Sequence, residues 1–402
     1  MPLFPTLDES TLRERLAPPR AGKRHRIVLD TDAANEIDDP FAIAWALLAP
    51  ERLQVEACLA APFSFEHRRH EVLRARLARD RPAAASAEDF ELLRLHAAKL
   101  AFWERHGWDP ATLSLPSFCT PAEGMQRSVQ AIEAVYAHLR LPHAGRVFAG
   151  STRYLRSPAE PERSAATDAL IALAGGGGDG EHEHEHEHEH EHEHPAEGEG
   201  HGTPHDGPLY VLAIGCLTNV ANALLLEPGL VRRLVVVWTA GYPSHAPHVN
   251  RAFNLEQDRL ATQVVFDSGV PLVYLPGYHV GAQLRLSLPE MERHVRGAGA
   301  IGAHLHELFT HNPLWPLIGT DAAEALHPAR ASSWVIWDLI NVAWMLEPEW
   351  VPSELVRTPR LGDDLRWQRG EADRGRPWMR EAHAVQRDAI FSDFFARLRR
   401  AP

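Results

Sequence analysis

Short β-rich apolar runs alternate with helical patterns along the chain, the order expected of βα units around a mainly parallel sheet. The apolar runs predict strands at Arg26–Leu29, Gln54–Leu59, Arg146–Ala149, Leu209–Ile214, Leu234–Trp238 and Leu272–Leu275. Between them, helical spacing predicts helices at Pro40–Leu48, Pro121–Leu139, Asn219–Leu226 and Gln257–Phe266. Further helical stretches fall around Phe90–Arg105, Pro289–Val295 and Ile301–Phe309. The fold class is therefore α/β, an open and mainly parallel sheet flanked by helices. One domain over residues 26–359 accounts for these elements. An extension of residues 1–25 precedes it, and residues 360–402 follow as a charged extension. That extension closes on an amphipathic helix, Ala384–Leu398, with Ile390, Phe394, Phe395 and Leu398 at helical spacing.

Residues 175–208 break the pattern with four glycines, seven consecutive Glu-His pairs and a Pro, Gly and His tail. Low complexity of this kind predicts a disordered, solvated linker. A phosphate-cradling glycine loop should follow a strand and open a helix, whereas this run follows a helical pattern and opens a charged tract. The imidazoles would suit weak binding of zinc, nickel or copper.

The insert also explains the net charge of −13 on 402 residues: it holds eleven carboxylates and no Lys or Arg, leaving −2 for the rest. A nearly neutral body offers no general field for nucleic acid or anionic membranes. No apolar run reaches the length of a membrane span, and no signal-like segment opens the chain, so the expected location is cytoplasmic. Cys58, Cys119 and Cys216 are far apart, with no C-x-x-C pair, and read as reduced thiols.

Open α/β sheets place ligands beyond the carboxyl ends of their strands. There the first strand, Ile27-Val28-Leu29, runs into Asp30, Asp32, Glu36, Asp38 and Asp39 within ten residues. A helix N-terminus capped by Asp38 or Asp39, with Pro40 at the first helical position, accounts for part of this density. Asp30, Asp32 and Glu36 remain, and converging carboxylates suit a hard divalent ion such as Ca²⁺ or Mg²⁺. A phosphatase similar to the haloacid dehalogenases would use Asp30-x-Asp32 with Mg²⁺, but it needs a well-placed Lys. Lys23 precedes the strand, Lys99 lies in a helical stretch, and Asp363-Asp364 follows no apolar strand.

Four ordered blocks resemble the inosine-uridine preferring nucleoside hydrolases. They are Asp30-Thr31-Asp32 with Asp38-Asp39 and Ala42-Ile43; Gly215-Cys216-Leu217-Thr218-Asn219; Phe253-Asn254; and Trp337-Asp338 before a helix. The resemblance implies a nucleoside-hydrolase-like fold and hydrolysis of the N-glycosidic bond of a ribonucleoside or related N-riboside. It implies Ca²⁺ held by Asp32, Asp39, Asp338 and the Thr218 carbonyl, with Asp32 as general base. Asp38, Asn254 and Asp338 would grip the ribose, and Asp30 would support Asp32. A homodimer or homotetramer is expected, as is common in the family.

Three departures stand out. Asn35 and Glu36 lengthen the first motif by two residues and are candidate substrate contacts. Ala252 replaces a family Glu, and Ala60-Ala61 stands where relatives place an Asn, for which Asn35, Glu36 or Asn250 could substitute. Trp337 replaces a His that helps protonate the leaving base; its ring could stack on the base or pack in the core beside Trp334 and Trp344. His245, His248 and His279 follow predicted strand ends as alternative acids. A different class of function, a ribose- or nucleoside-binding protein without turnover, is the second expectation from Ala252 and Trp337. Thr218, Asn254 and Asp338 each also have a plain local role as helix caps or turn residues.

Overall fold

The computed structural model describes residues 3–175, 207–370 and 374–402, so nearly all of the Glu-His insert lies outside the described residues. Eight strands form the central sheet: β1 His25–Thr31, β2 Leu53–Ala60, β3 Val147–Ala149, β4 Leu209–Ala213, β5 Leu234–Ala240, β6 Leu272–Pro276, β7 Ser353–Arg357 and β8 Trp378–Ala382. Their order is β3-β2-β1-β4-β5-β6-β8-β7. All neighbours are parallel except β7, which pairs antiparallel with β8 at one edge.

Side-chain alternation splits the apolar strands between two cores. Ile27, Leu29, Leu212, Val235, Val237, Val273 and Leu275 face one helical layer. Val28, Val211, Ala213, Val236, Trp238, Leu272 and Tyr274 face the other. Both faces are covered, which explains why the central strands read as continuous apolar runs. A third, smaller core joins Phe63, Phe65, Val72, Leu100, Phe102 and Trp103 with Leu314 and Leu317. It packs a helical hairpin, Glu66–Asp80 and Ala87–Arg105, inserted after β2, against neighbouring loop and helix residues.

Several expectations shift. Residues 360–402 are no mere appendage, because β8 hydrogen-bonds to β6 and extends the central sheet. Leu12 and Leu16 of the N-terminal extension are buried in the main core, and the Leu16 carbonyl accepts from Arg380 at 2.6 Å. The Glu66–Asp80 helix was not expected, since its buried stripe is only Val72, Ala75 and Ala78 among arginines. The Pro289–Val295 helix is a short turn followed by a π-helix, Met291–Val295. All three cysteines are free and buried. Among the described residues, no helix is long and apolar enough to cross a membrane.

Candidate active site

The strand order reverses between β1 and β4, and that switch point opens a crevice at the carboxyl ends of the strands. The acidic segment enters it directly. Asp30, inside β1, is fully buried; one carboxylate oxygen accepts from Asn219 Nδ2 at 2.9 Å and the other has no partner. Asn219 also donates to the Ala60 carbonyl and accepts from Ser151 N, tying together the ends of β1, β2 and β4. Asp32, just past β1, accepts from the Asn35 side chain through one oxygen, while its Oδ1 is buried without a partner. Gly215 makes room for it: a Cβ there would come within 3.1 Å of the Asp32 carboxylate and backbone nitrogen.

The following helix, Asp38–Leu47, is not capped as expected. Its N-cap is Ile37 with no side-chain bond, so neither Asp38 nor Asp39 serves as the cap. Asp39 instead accepts the Thr31 hydroxyl proton. Ligand oxygens of Asp38, Asp39 and Asp338 lie within 4.8 Å of one another, all three residues being buried. Asp338, at the N-cap of the Leu339–Leu346 helix, makes no side-chain capping bond, and its Oδ1 has no partner. Burial first, and neighbouring carboxylates second, push Asp32, Asp38, Asp39 and Asp338 well above the usual carboxylate range. Burial alone lifts Asp30 to about 7. Buried oxygens without partners, in a group of like charges, are the donor set a hard divalent cation takes. The cluster can therefore hold a metal ion.

A cleft opens over this cluster, walled by the ends of β4, β5 and β6 and by the two acidic helix starts. Asn35, Glu36, Asp38, Asp39, Asn254, Trp337 and Asp338 of the expected site residues line it. Asp32 and Thr218 do not reach the lining and are buried behind it. The Thr218 side chain is no cap either; its hydroxyl donates to Asp258 at 2.6 Å. Asn254 Nδ2 donates to the Ile214 carbonyl at 2.7 Å, which fixes the amide at the cleft wall. Asn250 is spent elsewhere, accepting from Tyr242 N and donating to the Leu365 carbonyl, so it does not replace the missing Asn.

On the aromatic side, Glu36 accepts the Trp334 indole N–H at 2.7 Å, and burial lifts its carboxyl to about 7. Trp337 belongs to the cleft and Trp344 to the core. Trp337 meets Tyr278 edge-on, with centroids 5.9 Å apart. Tyr278 continues into rings of Tyr242, His248 and His279. His245, His248 and His279 are exposed and outside the lining. Sequence reasoning missed Tyr278, whose only signal is its place just after β6.

The helical hairpin braces the opposite wall. Phe65 stacks on Phe253 at 3.9 Å, and Ser64 N donates to Gln257 at 2.7 Å. Arg68 pairs with Glu71 at 2.9 Å and Glu256 at 2.6 Å, while Arg251 pairs with Glu71 at 2.8 Å. These bonds clasp the segment that carries Phe253 and Asn254.

Together, the doubly covered parallel sheet and the acidic crevice at its switch point define an open α/β fold with a buried acidic site at its ligand-binding end. The profile of the inosine-uridine preferring nucleoside hydrolases matches residues 118–389, and the chain belongs to that family. The match begins after both the first acidic motif and the hairpin. Among solved structures, the chain is similar to a plant nucleoside hydrolase (16% identity, TM-score 0.57, covering 94% of this chain and 100% of that one). It is also similar to an inosine-guanosine nucleoside hydrolase (15%, TM-score 0.58, 94% and 100%) and to a purine-preferring ribonucleoside hydrolase from Gardnerella vaginalis (18%, TM-score 0.55, 94% and 98%). At such identities the likeness concerns the fold. No curated protein matches the chain.

Proposed function

We propose that this protein hydrolyses the N-glycosidic bond of ribonucleosides, releasing base and ribose, with Ca²⁺ as its metal. The observation that carries the reading is the cluster of buried, unpaired carboxylates at the switch point of a nucleoside-hydrolase fold. Calcium held by Asp32, Asp39, Asp338 and the Thr218 carbonyl would polarise a water and template the ribose hydroxyls. Asp32 is the general base: its unpartnered Oδ1 takes a proton from the attacking water as the C1′–N bond opens. Asp38 and Asn254, fixed at the wall, hold the sugar so that C1′ faces that water. Asp30, bonded to Asn219, anchors the end of β1 two residues before Asp32, and Asn35 orients the second oxygen of Asp32. The ring of Trp337 offers its face to the base.

The test is ribose release from a panel of purine and pyrimidine ribonucleosides, with and without chelator. Turnover should require the divalent ion and fall about 10²–10⁴-fold in Asp32→Asn. Full activity in that variant would refute the assigned chemistry. Tight nucleoside binding with no ribose from any substrate would instead support a binding protein, the reading that Ala252 and Trp337 in the lining favour.

A further inference from the structure

Resting on the calcium-dependent hydrolase reading above, we infer that Asp258 is a positioning residue: from behind the cleft it clips Thr218, and with it the metal-side turn, to the segment that carries Asn254. Two short segments are joined here at both ends. Residues 214–218 leave the end of β4, and residues 254–258 belong to the connection after β5. At the cleft wall, Asn254 Nδ2 donates to the Ile214 carbonyl at 2.7 Å. Four residues further along both segments, in the interior, the Thr218 hydroxyl donates to Asp258 Oδ2 at 2.6 Å. One bond would leave the far end of 214–218 free to swing about Ile214, whereas two fix its direction as well. Between the clips lies Gly215, where a Cβ would come within 3.1 Å of the Asp32 carboxylate. The clipped turn therefore packs directly against the proposed general base.

Asp258 can hold Thr218 because its own place is fixed from several sides. It is 2% exposed. Its Oδ1 accepts from Ala261 N at 2.9 Å and caps the Arg259–Ser268 helix, while Oδ2 also accepts from Leu155 N at 2.8 Å. Gln257 beside it accepts from Ser64 N at 2.7 Å and from the Tyr154 hydroxyl. The connections after β2, β3, β4 and β5 thus meet at one dipeptide. A plain N-cap accounts for Oδ1 alone, since capping needs one oxygen. Oδ2 serves the two neighbouring connections instead. The Thr218 hydroxyl has no part in the proposed coordination, which uses the carbonyl of that residue. What the bond to Asp258 supplies is the placement of residue 218, and partners that orient metal ligands from behind change metal affinity about 10–100-fold when removed.

Calcium titration by calorimetry on the full chain, with no nucleoside present, reads the clip directly. Thr218→Val keeps the shape of the side chain and removes its donor, and its calcium Kd should be about tenfold weaker than the parent's. Thr218→Ser restores the hydroxyl and should return Kd to the parent value. Asp258→Asn keeps an oxygen for Thr218 and Leu155 when its amide nitrogen turns toward Ala261, so it should melt earlier in chelator yet keep its calcium affinity. In each variant the calcium concentration giving half-maximal ribose release from inosine should shift by the same factor as Kd. If Asp258→Asn fails to fold, the comparison of Thr218→Val with Thr218→Ser still decides. Equal calcium Kd in the parent and Thr218→Val, or equal weakening in Thr218→Val and Thr218→Ser, would overturn the inference and leave the hydrolase reading standing. A parent protein that binds no calcium would overturn the metal assignment beneath it, and the inference with it.

Discussion

Two groups of buried charges flank the same cleft, and they are built in opposite ways. In the hairpin clasp every carboxylate has a cation: Glu71 meets Arg68 and Arg251, with His96 as a further hydrogen-bond partner, and Glu256 meets Arg68 and Arg251. Those partners hold Glu71 far below the usual carboxylate range despite its burial. At the β1 end, Asp32, Asp38, Asp39 and Asp338 have only one another, with hydroxyl and amide donors, and all are pushed up. A matched group is complete within the chain and serves structure. An unmatched one stores a demand for a ligand, which is why the proposed chemistry is assigned to the second group and not to the first.

The largest effect should come from removing one unmatched charge. Asp39→Asn is expected to abolish calcium-dependent stabilisation, which for the parent protein at about 100 times Kd amounts to about 2.7 kcal/mol. In chelator the same variant should melt at or above the parent temperature, because a like charge has gone. Thermal melts with and without calcium check both halves. A lower melting temperature in chelator would mean that the group is balanced in some other way.

Removing a matched charge should do the reverse. Arg68→Met leaves Glu256 and Glu71 short of a buried partner and is expected to cost about 3–5 kcal/mol, with or without calcium. Since Arg68 also grips the segment bearing Asn254, KM for the nucleoside should rise more than kcat falls. Denaturant unfolding beside steady-state kinetics tests this. An unchanged KM would confine the clasp to stability.

The two groups differ as much in legibility as in charge. The β1 cluster was readable because an apolar run stops abruptly at carboxylates, and Asp38, Asp39, Asp338, Asn254 and Trp337 do meet at one cleft. Asp32 and Thr218 were named in the same set but lie behind the lining, a distinction of depth that no linear pattern encodes. The clasp was invisible: Arg68 and Glu256 are 188 residues apart, and an arginine-rich helix with a Val-Ala-Ala stripe reads as a solvated one. β8 was missed because Trp378–Ala382 mixes Arg and Glu with its buried Met379 and Ala382. Its strand identity comes from the neighbours on either side.

The smallest predicted effect separates the two groups by pH alone. Asp30 and Glu36 have folded values raised to about 7, so in metal-free protein the native state holds more protons than the unfolded chain between about pH 4 and 7. Their contribution to stability therefore grows as pH falls through that window. His67, within the hairpin, is pushed down to about 4, chiefly by burial and then by Arg68. There the unfolded chain holds more protons between pH 6.5 and 4, and stability drains away as pH falls; Glu71, with its depressed value, adds to the loss below its ordinary 4.5. Native-state hydrogen exchange in chelator at pH 7 and pH 5 should show hairpin amides losing protection, roughly tenfold per 1.4 kcal/mol, while amides of β1 and the helix after it hold or gain. His67→Gln should flatten the hairpin's response and leave that of β1 unchanged. Parallel loss in both regions would show that the hairpin and the sheet unfold as one unit, and the contrast between the two charge groups would then have no separate thermodynamic expression.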